Sequence, residues 1–184
     1  PNVAGYNHFA GILGGGVTDY FSWPRTVNGT TQTTTDYATT RIVDDTIAWI
    51  SGTTTPWFCM VNFNAPHSPF HAPPANLHTQ NLTGLNAATN PTPFYKAMVE
   101  AMDTEIGRLF MALGADLSNT HVIFMGDNGT PADVSEAPFL PNHAKSTPFE
   151  GGVNVPLIVS GPAVNMPGRE ESALVGAVDI FSTV

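Results

Sequence analysis

Apolar positions change period along this chain, and each change marks an element. Between Tyr37 and Ile50, the residues Ile42, Val43, Ile47 and Ile50 recur at helical spacing, with Ala48 and Trp49 beside them. That is the apolar stripe of an amphipathic helix. Asp36 stands where an N-cap acceptor belongs, and Gly52 stands where a helix stops. Asp44 and Asp45 fall opposite the stripe, which predicts a solvated acidic face and not a metal site. Phe94 to Leu113 is the second and better helix. Met98, Met102, Ile106, Leu109 and Leu113 repeat at the same period. Glu105 and Arg108 form an i,i+3 pair on its outside, and Gly114 caps it.

Three further runs are apolar without a helical period. They are "PWFCMVNF" (56–63), residues 120–125 and "VPLIVSGP" (155–162). Short continuous runs of this kind read as strands buried on both faces. Alternating with amphipathic helices, they predict an α/β fold whose mainly parallel sheet is sandwiched between helices. A last helix is expected to start near Ala177. Between these elements lie loops. Residues 1–36 are Gly- and Thr-rich with interspersed aromatics, "NAPHSPFHAPP" is too rich in proline for a helix or a central strand, and residues 75–92 are polar.

Composition narrows the function classes. The 184 residues suffice for one domain with a core. Charged residues make up 11%, so Thr, Asn, Ser and Gln supply much of the polar surface. The net charge of -9, from 6 basic and 15 acidic side chains, argues against a nucleic-acid or anionic-membrane surface. It leaves room for an anionic substrate held by one lysine or a metal. Cys59 is the single cysteine. It excludes an internal disulfide and a Cys-rich zinc site, and its place in an apolar run reads as inert core. No apolar run is long enough to span a membrane, and no signal peptide is visible. Both ends look cut: the chain opens at Pro1 and stops inside the apolar pattern "VDIFSTV".

Candidate chemistry gathers in the loops that flank the strands. Asn64, His67 and His71 follow the first strand, Asp127 and Asn128 follow the second, and His143, Lys145 and Glu150 precede the third. Parallel strands would bring the first two loops to one sheet edge, where open α/β sheets place their ligands. Asp127 and Asn128 offer hard oxygen ligands that suit Ca²⁺ or Mg²⁺. His67 and Lys145 suit a tetrahedral anion. Together they describe a site for a phosphate or sulfate ester, in which metal and cations stabilise charge on the transferred group. Each residue also has a plain reading. Asp-Asn-Gly is a common turn, His67 between prolines can serve the backbone, and a lone lysine is usually solvated. His71, His78, His121 and His143 carry no signal beyond structure. The Asn-x-Thr sequons at Asn28 and Asn81 have meaning only in a secreted eukaryotic protein.

The ordered set "FNAPHSPFHAPP", "YKAMVEAMDTEIGRLF", "THVIFMGDNG", "KSTPFEGGVNVPLIVSGP" and "VGAVDIFSTV" closely resembles the later part of the catalytic domain of type I sulfatases, members of the alkaline phosphatase superfamily. The opening "GYNHFAGILGGGVTDY" is similar to a segment that follows that family's early motifs. The resemblance covers nearly the whole chain. It implies that Asp127 and Asn128 bind the active-site calcium, with Mg²⁺ as the other candidate. It implies that His67 contacts the sulfate or assists the leaving group, and that Lys145 holds a sulfate oxygen. Glu150-Gly151-Gly152 is then a structural turn.

The family's nucleophile, a formylglycine made in a Cys/Ser-x-Pro-x-Arg motif, has no counterpart here. Cys59 is followed by "MVNF", and "SWPRT" (22–26) has its arginine one place early. The early Asp-Asp pair, the Lys-x-His motif and the C-terminal subdomain are also absent, and Asn154 stands where the family often has arginine. The expectation is a partial sulfatase catalytic domain over residues 1–184, incomplete at both ends and inactive alone. Its partners would be a small-molecule or glycan sulfate ester and the remainder of the same protein. The resemblance suggests a periplasmic, secreted or lysosomal setting. A phosphoryl or phosphonate ester hydrolase of the same superfamily, and a non-catalytic sulfatase-like binding domain, are the alternatives.

Overall fold

The structure, a computed structural model, describes residues 4–54 and 56–183. Its first elements correct the expectation of a loop over residues 1–36. β1 (Ala10–Gly11), β2 (Trp23–Val27) and β3 (Thr30–Thr34) form an antiparallel sheet in the order β1-β2-β3. The cause is Asn28-Gly29, whose φ angles of 45° and 91° match the twist of a two-residue hairpin. The Asn28 side chain also accepts from the Phe9 N–H at 2.9 Å, which ties β1 to the turn. Thr26 and Thr31 share a hydrogen bond of 2.8 Å across the ladder. The Thr tract is therefore an outer strand, favoured by its β-branched side chains.

Both helices form where the apolar period places them. α1 spans Ala38–Ser51 and is closed by Gly52. Its N-cap residue is Tyr37, and Asp36 lies one step earlier, where its carboxylate accepts from the Thr34 hydroxyl at 3.0 Å and pairs with Arg41 at 3.3 Å. α2 spans Pro91–Leu113, begins three residues before Phe94 with Pro in the first turn, and ends at Gly114, whose φ is 54°. α1 and α2 pack on each other, and the core gathers around them: Tyr20, Trp23, Tyr37, Ala38, Met98 and Ala101 are all buried. Tyr20 and Trp23 are the largest side chains removed from water, and the Trp23 indole N–H donates to the Asp36 carbonyl at 2.9 Å.

Two charges expected on solvated faces are inside. The Asp45 side chain is 9% exposed and meets Arg25 at 2.6 Å and Arg41 at 3.0 Å, because the Arg25 side chain reaches across from β2 and Arg41 lies one turn earlier on the same helix face. Asp44, more open, pairs with Arg108 at 2.8 Å. The Glu105–Arg108 pair forms at 2.6 Å, but Glu105 is 2% exposed and accepts from the Thr40 hydroxyl at 2.7 Å. It sits one turn after Ala101 on the buried face, so the helix–helix seam is sealed by a carboxylate.

The later strands depart furthest from expectation. β4 (Val122–Met125) and β5 (Leu157–Ser160) form where the apolar runs lie, but they pair antiparallel, Val122 with Ser160 and Met125 with Leu157. A parallel pair needs a crossover element. The segment between them holds only single 3₁₀ turns and the four-residue α3 (Glu150–Val153). Every strand pairing among the described residues is antiparallel, which corrects the expected parallel sense while the chain remains α/β. Residues 57–63 join no ladder among the described residues. Their side chains alternate between half-buried and exposed, with Phe58 56% and Met60 61% exposed, so this run is covered on one side and not on two. The helix expected near Ala177 is a single 3₁₀ turn, Ala177–Asp179.

Candidate functional site

Asp127 and Asn128 directly follow β4, as an exposed bend between Gly126 and Gly129. Backbone bonds clasp this bend to the segment carrying Lys145. Gly126 N–H donates to the Pro156 carbonyl at 3.0 Å, Gly129 N–H donates to the Gly152 carbonyl at 3.0 Å, and Lys145 N–H donates to the Thr130 carbonyl at 2.9 Å. The approach is too close for side chains. A Cβ on Gly129 would lie 2.7 Å from the Gly152 Cα, and a Cβ on Gly152 would lie 2.7 Å from the Ala144 carbonyl oxygen. Glycine at 129, 151 and 152 is thus what lets the bend after β4, the Lys145 loop and α3 close on one another. The Thr147 hydroxyl, donating to the Ala144 carbonyl at 2.7 Å, tightens the same loop.

The structure therefore joins Asp127, Asn128 and Lys145 on one framework. Their side chains make no hydrogen bond or ion pair among the described residues, so their polar atoms are open to a ligand. Asp127 and Asn128 supply two adjacent hard oxygens, which fit Ca²⁺ or Mg²⁺ in kind. Among the described residues no group of three or more His, Cys, Asp or Glu side chains stands together, so two ligands fall short of a full oxygen shell in number.

His67 stands on a different support. It is exposed in the proline-rich loop after residues 57–63, and no hydrogen bond joins it to Asp127, Asn128 or Lys145 among the described residues. Its ring Nδ1 is 2.8 Å from the Ser68 carbonyl oxygen. A carbonyl only accepts, so Nδ1 carries the proton and Nε2 presents its lone pair. The backbone of the loop is held from below. The buried Tyr20 hydroxyl lies 2.8 Å from both the Asn64 and the His67 carbonyl oxygens. His71, expected to be merely structural, packs against Tyr20 with ring centroids 4.2 Å apart. Neither Tyr20 nor His71 stands out in the sequence; the signal that could have found them is the shortage of N–H donors in a loop so rich in proline. Burial keeps this cluster uncharged. It pushes the Tyr37 hydroxyl up to about 12 and the Tyr20 hydroxyl higher still, and it lowers His71 despite its bond to Pro69.

Beside the Lys145 loop lies a cleft of about 280 Å³ lined by Pro138, Phe139, Leu140, His143, Phe149, Glu150 and Gly151. His143 stacks on Phe149 with centroids 3.7 Å apart. The residues of "SWPRT" have structural duties: Trp23 is core, and Arg25 is held in a two-bond fork by Asp45 at 2.6 and 2.7 Å. Cys59 is half-buried, and burial pushes its thiol up, away from the reactive thiolate.

The family profile described as Sulfatase matches residues 3–184. An arylsulfatase from Klebsiella aerogenes is 23% identical, aligned over 100% of this chain and 60% of that protein. An endo-4-O-sulfatase from Bacteroides thetaiotaomicron is 30% identical over 73% of this chain and 29% of that protein. Among solved structures, that of Ps i-CgsB superposes with a TM-score of 0.73 and 25% identity, covering 89% of this chain and 41% of that one. The chain thus spans between 29% and 60% of the length of these proteins, and the likeness bears out the expected α/β fold of the alkaline phosphatase-like kind.

Proposed function

The chain belongs to the sulfatase family, and on that premise we propose that it carries part of the site at which a metal-dependent hydrolase cleaves a sulfate monoester. The observation that supports this reading best is the backbone clasp between the bend after β4 and the Lys145 loop. It holds two oxygen ligands and an ammonium on one rigid frame, as stabilisation of a transferred oxyanion requires.

In this reading Asp127 and Asn128 hold Ca²⁺, or Mg²⁺ in its place, through the carboxylate and the amide oxygen. The bound cation supplies Lewis-acid stabilisation of negative charge on the ester oxygens. Lys145 binds a further sulfate oxygen by a charge-assisted hydrogen bond. His67, with its proton on Nδ1, accepts at Nε2 or, once protonated, donates there to the departing oxygen. The ring that bears the ester, on a small molecule or a glycan, lies toward the cleft lined by Phe139, His143 and Phe149. The stacking surface and apolar walls of that cleft suit such a ring.

In this reading the nucleophile would have to come from outside residues 1–184. No Cys/Ser-x-Pro-x-Arg occurs in residues 1–184, and the nearest stretch has its arginine committed to Asp45. We therefore expect no multiple turnover of an aryl sulfate by this chain alone, yet retained affinity for inorganic sulfate in the presence of Ca²⁺. The test is calorimetric titration of sulfate with and without Ca²⁺, on the wild type and on Asp127→Ala and Lys145→Ala. Sulfate binding that ignores both substitutions would sink the reading. Turnover by the purified chain, lost on Asp127→Ala, would overturn the expected inactivity. The same titration with phosphate and methylphosphonate distinguishes a sulfate site from a phosphoryl one.

A further inference from the structure

The loop from Asn64 to His71 contains two prolines between its candidate residues, Pro66 and Pro69. Proline donates no backbone hydrogen bond, so the loop cannot satisfy its own carbonyls as a helix or a hairpin would. Among the described residues one backbone bond spans its turn, from the His67 N–H to the Asn64 carbonyl at 2.9 Å. Apart from the His67 ring, which donates to the Ser68 carbonyl, the donors are side chains of the buried aromatic cluster. The Tyr20 hydroxyl has one proton to share between the Asn64 and His67 carbonyls, each 2.8 Å away. The His71 Nδ1–H donates to the Pro69 carbonyl at 2.9 Å. His71 is itself fixed at its other nitrogen, which accepts from the Tyr37 hydroxyl at 3.2 Å. Rings of Tyr20, Phe21 and Tyr37 surround it, with centroid distances of 4.2, 5.7 and 5.6 Å. Tyr20 is 1% exposed and belongs to the main core.

We infer that Tyr20 and His71 are positioning residues: the single O–H of Tyr20, shared between the Asn64 and His67 carbonyls, and the Nδ1–H of His71 on the Pro69 carbonyl hold the loop backbone and thereby fix the ring of His67. This rests on the proposed role of His67. The chain of contacts is short. His67 keeps its proton on Nδ1 only while the Ser68 carbonyl stays 2.8 Å away. The Ser68 carbonyl lies between the two anchored ones, those of His67 and Pro69. Releasing either anchor lets the neighbouring peptide planes turn, and the ring loses the partner that selects its tautomer. Burial, which holds His71 neutral, keeps one of its nitrogens a donor and the other an acceptor, as both of its bonds require.

The experiment is nitrogen NMR of the whole 184-residue chain labelled at histidine, at a pH where the rings are neutral. The readout is the ratio of the Nδ1–H to the Nε2–H tautomer of His67. Tyr20→Phe removes a single oxygen and is expected to lower that ratio by roughly threefold or more, the weight of one hydrogen bond. Thr40→Val, which removes a comparable bond between α1 and α2, is expected to leave it unchanged. His71→Asn retains a donor toward the Pro69 carbonyl and should preserve the ratio, whereas His71→Phe should lower it. That pair decides the matter if Tyr20→Phe does not fold. A His67 ratio that stays at its wild-type value in Tyr20→Phe, or that His71→Asn and His71→Phe leave equally intact, overturns the inference. Adding inorganic sulfate and Ca²⁺ to the same samples separates this from the function. Tautomer shifts without sulfate binding uphold the positioning and sink the sulfate reading. Sulfate binding with an unresponsive tautomer does the reverse.

Discussion

The chain up to Leu113 and the chain beyond it are stabilised by different means. The first region buries its aromatics and helix faces: Tyr20, Trp23, Val43 and Met98 are almost without solvent contact. After Leu113, Val134 and Ala144 are the only buried apolar side chains among the described residues, while Ile158, Val159, Leu174 and Phe181 are exposed. Yet the later region carries Asp127, Asn128 and Lys145. It keeps them in place by backbone hydrogen bonds and glycine-to-backbone contacts, with little apolar burial. The difference teaches where each kind of substitution should act. Core truncation should cost global stability and spare the local clasp, and a Cβ at the clasp should do the opposite.

The largest effect is expected from Trp23→Ala. It removes the biggest buried side chain together with its bond to Asp36, and should cost about 3–5 kcal/mol by urea denaturation. Val159→Ala, on exposed β5, should change the midpoint hardly at all; equal costs at the two sites would erase the contrast. Next comes Glu105→Ala. It leaves the Thr40 hydroxyl without its acceptor in the helix seam and Arg108 with Asp44 as its remaining carboxylate partner. A cost of about 2 kcal/mol is expected, held down by the partial exposure of Arg108. Gly129→Ala forces a Cβ against the α3 turn. Its global cost should be near 1 kcal/mol or less because little else depends on that bend, while amide exchange at Gly129 and Lys145 should speed up by about tenfold or more. Protection unchanged at both amides would show that the clasp is not what holds the loops.

Much of the first region was legible in the sequence. The period of Ile42, Val43, Ile47 and Ile50 and that of Met98, Leu109 and Leu113 mark α1 and α2 because helical packing is local. The hairpin was equally written, in Asn28-Gly29, but a Thr-rich outer strand has no apolar face to announce it. Asp45 and Glu105 were misplaced for one reason: acidic residues read as solvated until their partners, Arg25 and Thr40, are known to come from other elements. Strand pairing was not legible. The apolar character of 57–63 and 157–160 predicts extended chain, but which edge meets which is decided by connections far along the chain. At the candidate site, Asp127, Asn128 and Lys145 were legible by residue type, and the framework that joins them was not. It rests on glycines at 129, 151 and 152, which look like ordinary turn residues until the backbones are seen to touch.

A smaller effect distinguishes the two regions by pH. Burial holds the folded imidazole of His71 below its ordinary value, so in acid the unfolded chain binds a proton that the folded one refuses. Stability should therefore rise with pH from the lowered folded value up to about 6.5, the unfolded value, and be flat above it for this group. His71→Asn should flatten that slope in thermal melts. If the wild-type slope persists in the variant, the titrating group lies elsewhere.

The smallest effect concerns the join between the regions. Among the described residues, Lys96–Glu136 at 3.0 Å is the one ion pair that crosses from the first region to the second, and both side chains are about half exposed. An exposed pair of this kind gains little over its hydrated ions and is screened by salt. A double-mutant cycle with Lys96→Ala and Glu136→Ala should give a coupling below about 0.5 kcal/mol that fades in salt. Val134, buried at 4% exposure two residues from Glu136, should by contrast cost about 1–2 kcal/mol on truncation to Ala. That ranking follows if the later region docks on α2 through one apolar contact and uses its charges elsewhere. A coupling above 1 kcal/mol, surviving in salt, would mean that the pair is desolvated and that the two regions move as one body. The separation between a scaffold held by burial and a site held by its backbone would then no longer hold.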